Sequence, residues 1–80
     1  MLNVTRLVSR NNIHMKKNIY DGKGKYIGYT NDIGSVVHGY NKNGKTVGMF
    51  NKLSNYTYDY NGKPLAKGNL IEGLVMMMNV

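Results

Sequence analysis

The sequence has no cysteine and no tryptophan, and only one proline among its 80 residues. Without cysteine, neither a disulfide-stapled secreted scaffold nor a thiolate metal site is expected. The two histidines, His14 and His38, lie far apart in the sequence with no carboxylate or cysteine arranged beside either. A stable metal site generally needs three or four ligands. We therefore expect no metal and no cofactor.

Carboxylates are also scarce, since the chain has only four: Asp21, Asp32, Asp59 and Glu72. The aspartates lie in polar segments typical of turns and loops, and Glu72 then has no second acid for general acid–base catalysis. The serines have no triad context, and the glycine- and lysine-rich segment 22–25 lacks the length and the following helix of a phosphate-binding loop. The sequence therefore predicts a protein that is not an enzyme.

Long hydrophobic runs are missing at both ends. Residues 1–10 lack the continuous apolar segment of a signal peptide. The apolar run 70–80 is interrupted by Glu72 and Gly73 and is too short to cross a bilayer. We therefore predict no membrane association and a cytoplasmic location, which is the host-cell cytoplasm if a phage encodes the protein.

What the sequence does have is basic charge: 11 lysines and arginines against four acids give a net charge of +7. This balance favours acidic partners such as nucleic acid, anionic lipid or an acidic protein surface. The alternative is that lysines recur at turns because they keep exposed sheet edges soluble and unpaired.

The chain is organised around a nine-residue repeat unit that occurs three times, at 20–28, 40–48 and 58–66. Each copy begins with tyrosine and Asp or Asn, continues through Gly-Lys, and ends with an aliphatic residue before Gly or Ala. Asp or Asn followed three residues later by Gly is the chemistry of a tight hairpin turn closed by a left-handed glycine. Each unit therefore predicts one β-hairpin.

A turn at 21–24 pairs Tyr20 with Tyr26 and Ile19 with Ile27, because residues alternate faces along each strand. The same register pairs Tyr40 with Thr46 and Tyr58 with Pro64. One face is then aliphatic and predicted to form the core: Ile19, Ile27, Tyr29, Val37, Val47, Met49 and Leu65. The other face combines aromatic with small residues: Tyr20, Tyr26, Tyr40, Phe50, Tyr56 and Tyr58 with Gly28, Gly48 and Ala66. These rings either lie over the glycines as packing, which we favour, or form a platform for a partner.

Polar breaks between the hairpins give a single domain with an all-β fold, an antiparallel meander of three hairpins with about six to eight short strands. A small rolled sheet or barrel is the alternative. Residues 1–10 are a strand, which we favour, or a short helix, and residues 1–14 could form a separate arm. Residues 17–68 hold the hairpins. Pro64 places the third hairpin near a sheet edge, because proline cannot donate to a central ladder. Segment 69–80 is a closing strand, which we favour over a helix, or an oligomer contact.

Residues 56–65, Tyr-Thr-Tyr-Asp-Tyr-Asn-Gly-Lys-Pro-Leu, resemble the YD repeat of Rhs-type and teneurin-type shells. The first repeat unit fits more loosely, and the second has Asn41 in place of Asp. The chain departs from the family in carrying Lys63 where Arg is usual, and it has too few repeats to build a shell. The resemblance implies stacked hairpins and no functional residues. The short, Asn- and Lys-rich format is similar to small proteins of phages and mobile elements.

Three functions compete. The first is a small non-enzymatic binding protein that covers a partner protein as an inhibitor or regulator, through Tyr20, Tyr26, Tyr40, Tyr56 and Tyr58. The second is a nucleic-acid-binding β-platform whose phosphate contacts are Lys23, Lys25, Lys42, Lys45 and Lys63. The third is a structural module that forms a homodimer or larger homo-oligomer through its sheet or its apolar C-terminal segment.

Overall fold

The computed structural model describes residues 15–78, so the predictions made for residues 1–14 lie outside the described part of the chain. Six antiparallel strands follow one another in sheet order, and one helix comes last. Their bounds are β1 Met15–Tyr20, β2 Tyr26–Asp32, β3 Val36–Asn41, β4 Thr46–Asn51, β5 Tyr56–Asp59, β6 Pro64–Lys67 and α1 Ile71–Met77. The predicted meander is confirmed. Within residues 15–78 the sheet remains open, with β1 and β6 as its edges, so the barrel alternative is wrong.

The three hairpin turns have the predicted chemistry. In the first turn the carboxylate Oδ1 of Asp21 accepts hydrogen bonds from the backbone N–H groups of Lys23 at 2.8 Å and Lys25 at 2.9 Å. The N–H of Gly24 donates to the carbonyl of Asp21 at 3.0 Å, and Gly24 is left-handed with φ 83°. Asn41 and Asp59 make the same contacts in the other two turns. Turn formation therefore follows from the repeat unit alone.

Each hairpin also contains a β-bulge in the strand after its turn, at the aliphatic position of the repeat unit, and no bulge was predicted at that position. The pairs Tyr20–Tyr26, Tyr40–Thr46 and Tyr58–Pro64 are confirmed. However, Ile19 pairs with Gly28 and not with Ile27, because Ile27 is the extra residue of the bulged strand. Val47 and Leu65 hold the equivalent position in the second and third hairpins.

The bulges change which residues share a face. A residue inserted into one strand reverses the alternation beyond it. Tyr29 and Met49, which we predicted on the aliphatic face, therefore lie on the opposite face, where Tyr29 pairs with Tyr40 and Met49 with Tyr58. Phe50, Gly28 and Gly48, which we predicted on the aromatic face, lie instead on the face covered by α1. Pro64 does begin an edge strand, as predicted.

The C-terminal segment forms α1, so our preference for a closing strand was wrong. Ile71, Leu74 and Val75 follow helical spacing and are only 1%, 7% and 0% exposed, which places one apolar stripe against the sheet. Gly73, which interrupts the apolar segment, lies on the exposed side of the helix. The helix begins where the N–H of Ile71 donates to Oδ1 of Asn69 at 3.1 Å.

The helix can approach the sheet closely because the strands beneath it carry glycine. A Cβ atom built on Gly39 would lie 2.8 Å from Cγ2 of Ile71, and one on Gly28 would lie 2.7 Å from Cγ1 of Val75. Gly48 has the same relation to Leu74. The helix rests on β2, β3 and β4. The core beneath and around it consists of Ile19, Ile27, Val37, Val47, Phe50, Ile71, Leu74 and Val75.

Thr57 ties the last hairpin to the helix. Its side chain is fully buried, yet its hydroxyl donates to the carbonyl of Gly68 at 2.6 Å and accepts from the N–H of Leu70 at 3.0 Å. Buried polar groups of this kind are stable only when they are hydrogen-bonded. The connection from β6 to α1 is therefore held by one side chain of β5.

Candidate protein-binding surface

One face of the sheet is covered by α1, and the other carries no second layer within residues 15–78. We call this second surface the open face. Alternation and the observed register assign its residues. Its main members are Lys16, Tyr20, Tyr26, Tyr29, Asn31, His38, Tyr40, Met49, Tyr56, Tyr58 and Lys67.

The centre of the open face is a stack of two rings and one cation. Tyr29 and Tyr40 lie opposite each other on β2 and β3, with ring centroids 4.7 Å apart and planes inclined by 17°. The ammonium of Lys16 lies 4.6 Å from the centroid of the Tyr29 ring, in cation–π geometry. His38 is beside the stack, with its ring 6.3 Å from that of Tyr40.

Two further tyrosine pairs flank the stack. Tyr20 and Tyr26 meet edge to face, with centroids 5.8 Å apart, next to the first turn. Tyr56 and Tyr58 on β5 lie 6.4 Å apart, and the Tyr58 hydroxyl is 3.3 Å from Oγ of Ser54. Tyr20 is 52% and Tyr56 38% exposed. The open face therefore offers partly exposed rings, held in place by one another and by a rigid sheet.

All five tyrosines predicted as binding residues lie on this one face. The interpretation of their rings as a cover for strand glycines is wrong, because Gly28 and Gly48 face α1. Sequence reasoning missed Tyr29, Met49 and Lys16 as members of the same surface. The sequence carried no distinct signal for the change of face, because the aliphatic residue at each bulge, Ile27, Val47 or Leu65, is also an ordinary strand residue.

The five lysines of the nucleic-acid hypothesis are brought together elsewhere. In a meander the turns after β1, β3 and β5 lie at the same end of the sheet, and we call this the turn end. All its lysine side chains are exposed: Lys23, Lys25, Lys42, Lys45 and Lys63. The ion pairs among the described residues involve other lysines, Lys17 with Glu72 at 2.7 Å and Lys52 with Asp32 at 2.9 Å.

Every carboxylate of the chain has a structural partner. The backbone N–H groups of Lys25 and Lys23 hold the pKa of Asp21 below its usual value. The N–H of Gly34 and then the ammonium of Lys52 lower the pKa of Asp32 in the same way. Asp59 bonds its own turn, and Glu72 pairs with Lys17. These contacts account for the acids as parts of the fold.

The described residues contain no group of three or more His, Cys, Asp and Glu side chains that could hold a metal ion. Nor does the single helix among them have the length or apolarity to cross a membrane. An apolar groove of about 400 Å³ lies between β6 and α1. It is lined by Leu65, Ala66, Leu70, Gly73, Leu74 and Met77.

Comparison with known proteins found no match to this chain among protein families, curated proteins or solved structures.

Proposed function

We propose that this chain is a small non-enzymatic binding protein whose open face covers a partner protein, as an inhibitor or regulator of phage or mobile-element origin. The observation that carries the proposal is the difference in cover. One face of the sheet has α1 on it, whereas the tyrosine-lined face has no layer over it within residues 15–78.

The composition of the open face supports a protein partner. Tyrosine and methionine are enriched in protein interfaces, and lysine is depleted at their centres. A tyrosine ring supplies a large apolar surface and a hydroxyl while losing little side-chain freedom on binding. Tyr29 and Tyr40 occupy the middle of the face, where energetically dominant residues are usually found.

The charges of the open face indicate which charges a complementary partner surface carries. Within residues 15–78, alternation assigns no Asp or Glu to the open face, although Asp59 lines a pocket with His38 and Met49 near the third turn. The lysines of the open face are Lys16 on β1 and Lys67 on β6, at opposite edges. A complementary surface therefore has an apolar centre that accepts the rings and carboxylates at its rim. Such rim charges increase the association rate and the specificity more than the affinity.

The proposal is tested by affinity capture from a nuclease-treated extract of the source cells, with recovered proteins quantified by mass spectrometry. The wild-type protein is compared with a double variant of the open face, Tyr29→Thr/Tyr40→Thr. Its matched control is Lys42→Gln/Lys45→Gln at the turn end. Circular dichroism establishes that all three proteins are folded.

We expect the open-face variant to recover the partner at least about tenfold less well, since central aromatic residues contribute about 2 kcal/mol or more each. The turn-end control should recover it as the wild type does. Equal recovery by the open-face variant, or no protein above background with the wild type, would rule out the proposed function.

A further inference from the structure

The turn end is a second surface whose chemistry differs from that of the open face. The three repeat units place Gly and Lys side by side at each turn, with Asn beside them in the second and third, and the one large apolar side chain among these turn residues is Tyr60. Protein interfaces need an apolar centre, whereas contacts with phosphate are made by lysine, asparagine and backbone N–H groups. The composition of the turn end therefore fits a phosphate backbone better than a protein surface.

The acids of the turns keep their negative charge, but they direct their oxygen atoms at backbone N–H groups and not at the lysine ammonium groups. Asp21 and Asp59 each direct Oδ1 at two backbone N–H groups of their own turn, at 2.8 and 2.9 Å. In the second turn a neutral side chain, Asn41, makes the same two bonds. The carboxylates are thus occupied in turn formation, and the five exposed ammonium groups form no ion pair among the described residues.

The topology sets the spacing of the positive charge. Successive turns at this end are separated by two strands, which is about 10 Å, so the three turns span about 19 Å. The Debye length at 0.1 M salt is also about 10 Å, so the potentials of neighbouring turns add. The turn end is therefore a short row of exposed lysines at regular intervals, with a net charge of +1 at the first turn, +2 at the second and zero at the third.

We propose that the turn end binds the backbone of single-stranded nucleic acid, with Lys23, Lys25, Lys42, Lys45 and Lys63 at its phosphates. Adjacent strands of a sheet rotate by about 20–25°, so strand direction turns by roughly 80–100° between the first and third turns. A flexible single strand can follow such a row, whereas a duplex, with a persistence length of about 150 base pairs, is stiff over this length. The inference does not rest on the proposed protein partner, because the two surfaces share none of their assigned residues.

The test is fluorescence anisotropy with labelled 15-nucleotide single-stranded DNA and RNA and with the corresponding DNA duplex, at salt concentrations from 50 to 200 mM. The chain offers a charge-matched control. The turn-end variant is Lys23→Gln/Lys25→Gln/Lys42→Gln/Lys45→Gln. The control variant removes the same number of charges away from the turn end: Lys16→Gln/Lys17→Gln/Lys52→Gln/Lys67→Gln.

For about four phosphate contacts, counterion release predicts that wild-type affinity for a single strand falls roughly 50-fold over this salt range. We expect the turn-end variant to lose most of the affinity and most of the salt dependence. The control variant should retain the salt slope of the wild type, because its remaining lysines still meet the phosphates.

Equal losses in the two variants would overturn the inference, since binding would then depend on net charge and not on the turn end. Equal or tighter binding of the duplex would overturn the choice of a single strand. Equally tight, turn-end-dependent binding of polyglutamate or of anionic phosphatidylserine vesicles would overturn the choice of nucleic acid. Loss of protein capture by Tyr29→Thr/Tyr40→Thr leaves this test unaffected, so the two proposals fail separately.

Discussion

The covered face and the open face are built from alternate residues of the same six strands, yet their side chains differ in type and size. The covered face combines branched aliphatic residues with Gly28, Gly39 and Gly48, which together leave room for a helix at short range. The open face carries long aromatic side chains that touch one another across strands. The comparison shows that a helix packs closely on a sheet only where the side chains beneath it are small. The side chains of the open face are too large for a helix to pack at the same distance.

The largest expected effect comes from removing the side chain that anchors the helix. Ile71 is 1% exposed, and Ile71→Ala should lower the free energy of unfolding by about 2–5 kcal/mol, because it leaves a cavity between α1 and the sheet. Met77→Ala, on the exposed side of the same helix, should change it by less than about 0.5 kcal/mol. Urea unfolding measures both, and equal losses would mean that α1 does not dock as described.

The next largest loss of stability is expected from adding a side chain at a glycine beneath the helix. Gly39→Ala places a methyl group 2.8 Å from Cγ2 of Ile71, and we expect a loss of about 1–3 kcal/mol from overpacking. The matched substitution on the exposed side of the helix is Gly73→Ala, where a Cβ meets nothing within 4 Å. It should stabilise the protein by about 0.5–1 kcal/mol, since alanine favours helix over glycine. Thermal unfolding gives both signs, and a neutral Gly39→Ala would show that the helix can shift.

A comparable or smaller loss is expected where the covered side meets the helix connection. Thr57→Val keeps the shape of the side chain but leaves the carbonyl of Gly68 and the N–H of Leu70 without their buried partner. The expected cost is about 1–3 kcal/mol. Thr46→Val removes a long 3.4 Å contact between the hydroxyl of this exposed residue and the carbonyl of Gly39, and should cost less than about 0.5 kcal/mol. Hydrogen exchange of the Leu70 amide adds a local measurement, because it should accelerate in Thr57→Val alone.

The smallest effect concerns pH. The folded state lowers the pKa values of Asp21 and Asp32, so their contribution to stability is present above the unfolded value of about 3.9 and is lost as pH falls through the lowered values. Asp21→Asn/Asp32→Asn should therefore flatten the decline of the melting temperature below about pH 4. In the second turn Asn41 makes the contacts that Asp21 makes in the first, which indicates that Asp21→Asn keeps its turn. If the melting temperature of the variant declined with pH as that of the wild type does, Asp21 and Asp32 would not be the cause of the acid destabilisation.

Much of the meander could be predicted because hairpin formation is local. Asp21, Asn41 and Asp59 bond N–H groups two and four residues ahead, so the segment that determines each turn also contains it. The cross-strand pairs nearest each turn follow directly. The gathering of the tyrosines on one face could be predicted for the same reason, because each lies within a strand of a predicted hairpin.

The bulges prevented a correct prediction of which residues share a face of the sheet. Ile27 is an extra residue in its strand, and nothing in its chemistry distinguishes it from an ordinary strand position. Its selection depends on the space beneath α1, where it is only 3% exposed. Face assignments beyond the bulges, including those of Tyr29 and Met49, therefore needed the folded sheet.

The sequence by itself determined the three turns, the order of the strands and the recurrence of tyrosine and lysine at each hairpin, because these depend on interactions within a few residues. Only the tertiary structure decided that 71–77 is a helix, that the glycines lie beneath it and that no layer among residues 15–78 covers the tyrosines. The physical reason is burial: Ile71, Leu74 and Val75 fit either a strand or a helix by composition. The shallow glycine-lined sheet, formed by residues far away in the chain, provides the surface that the helical arrangement covers.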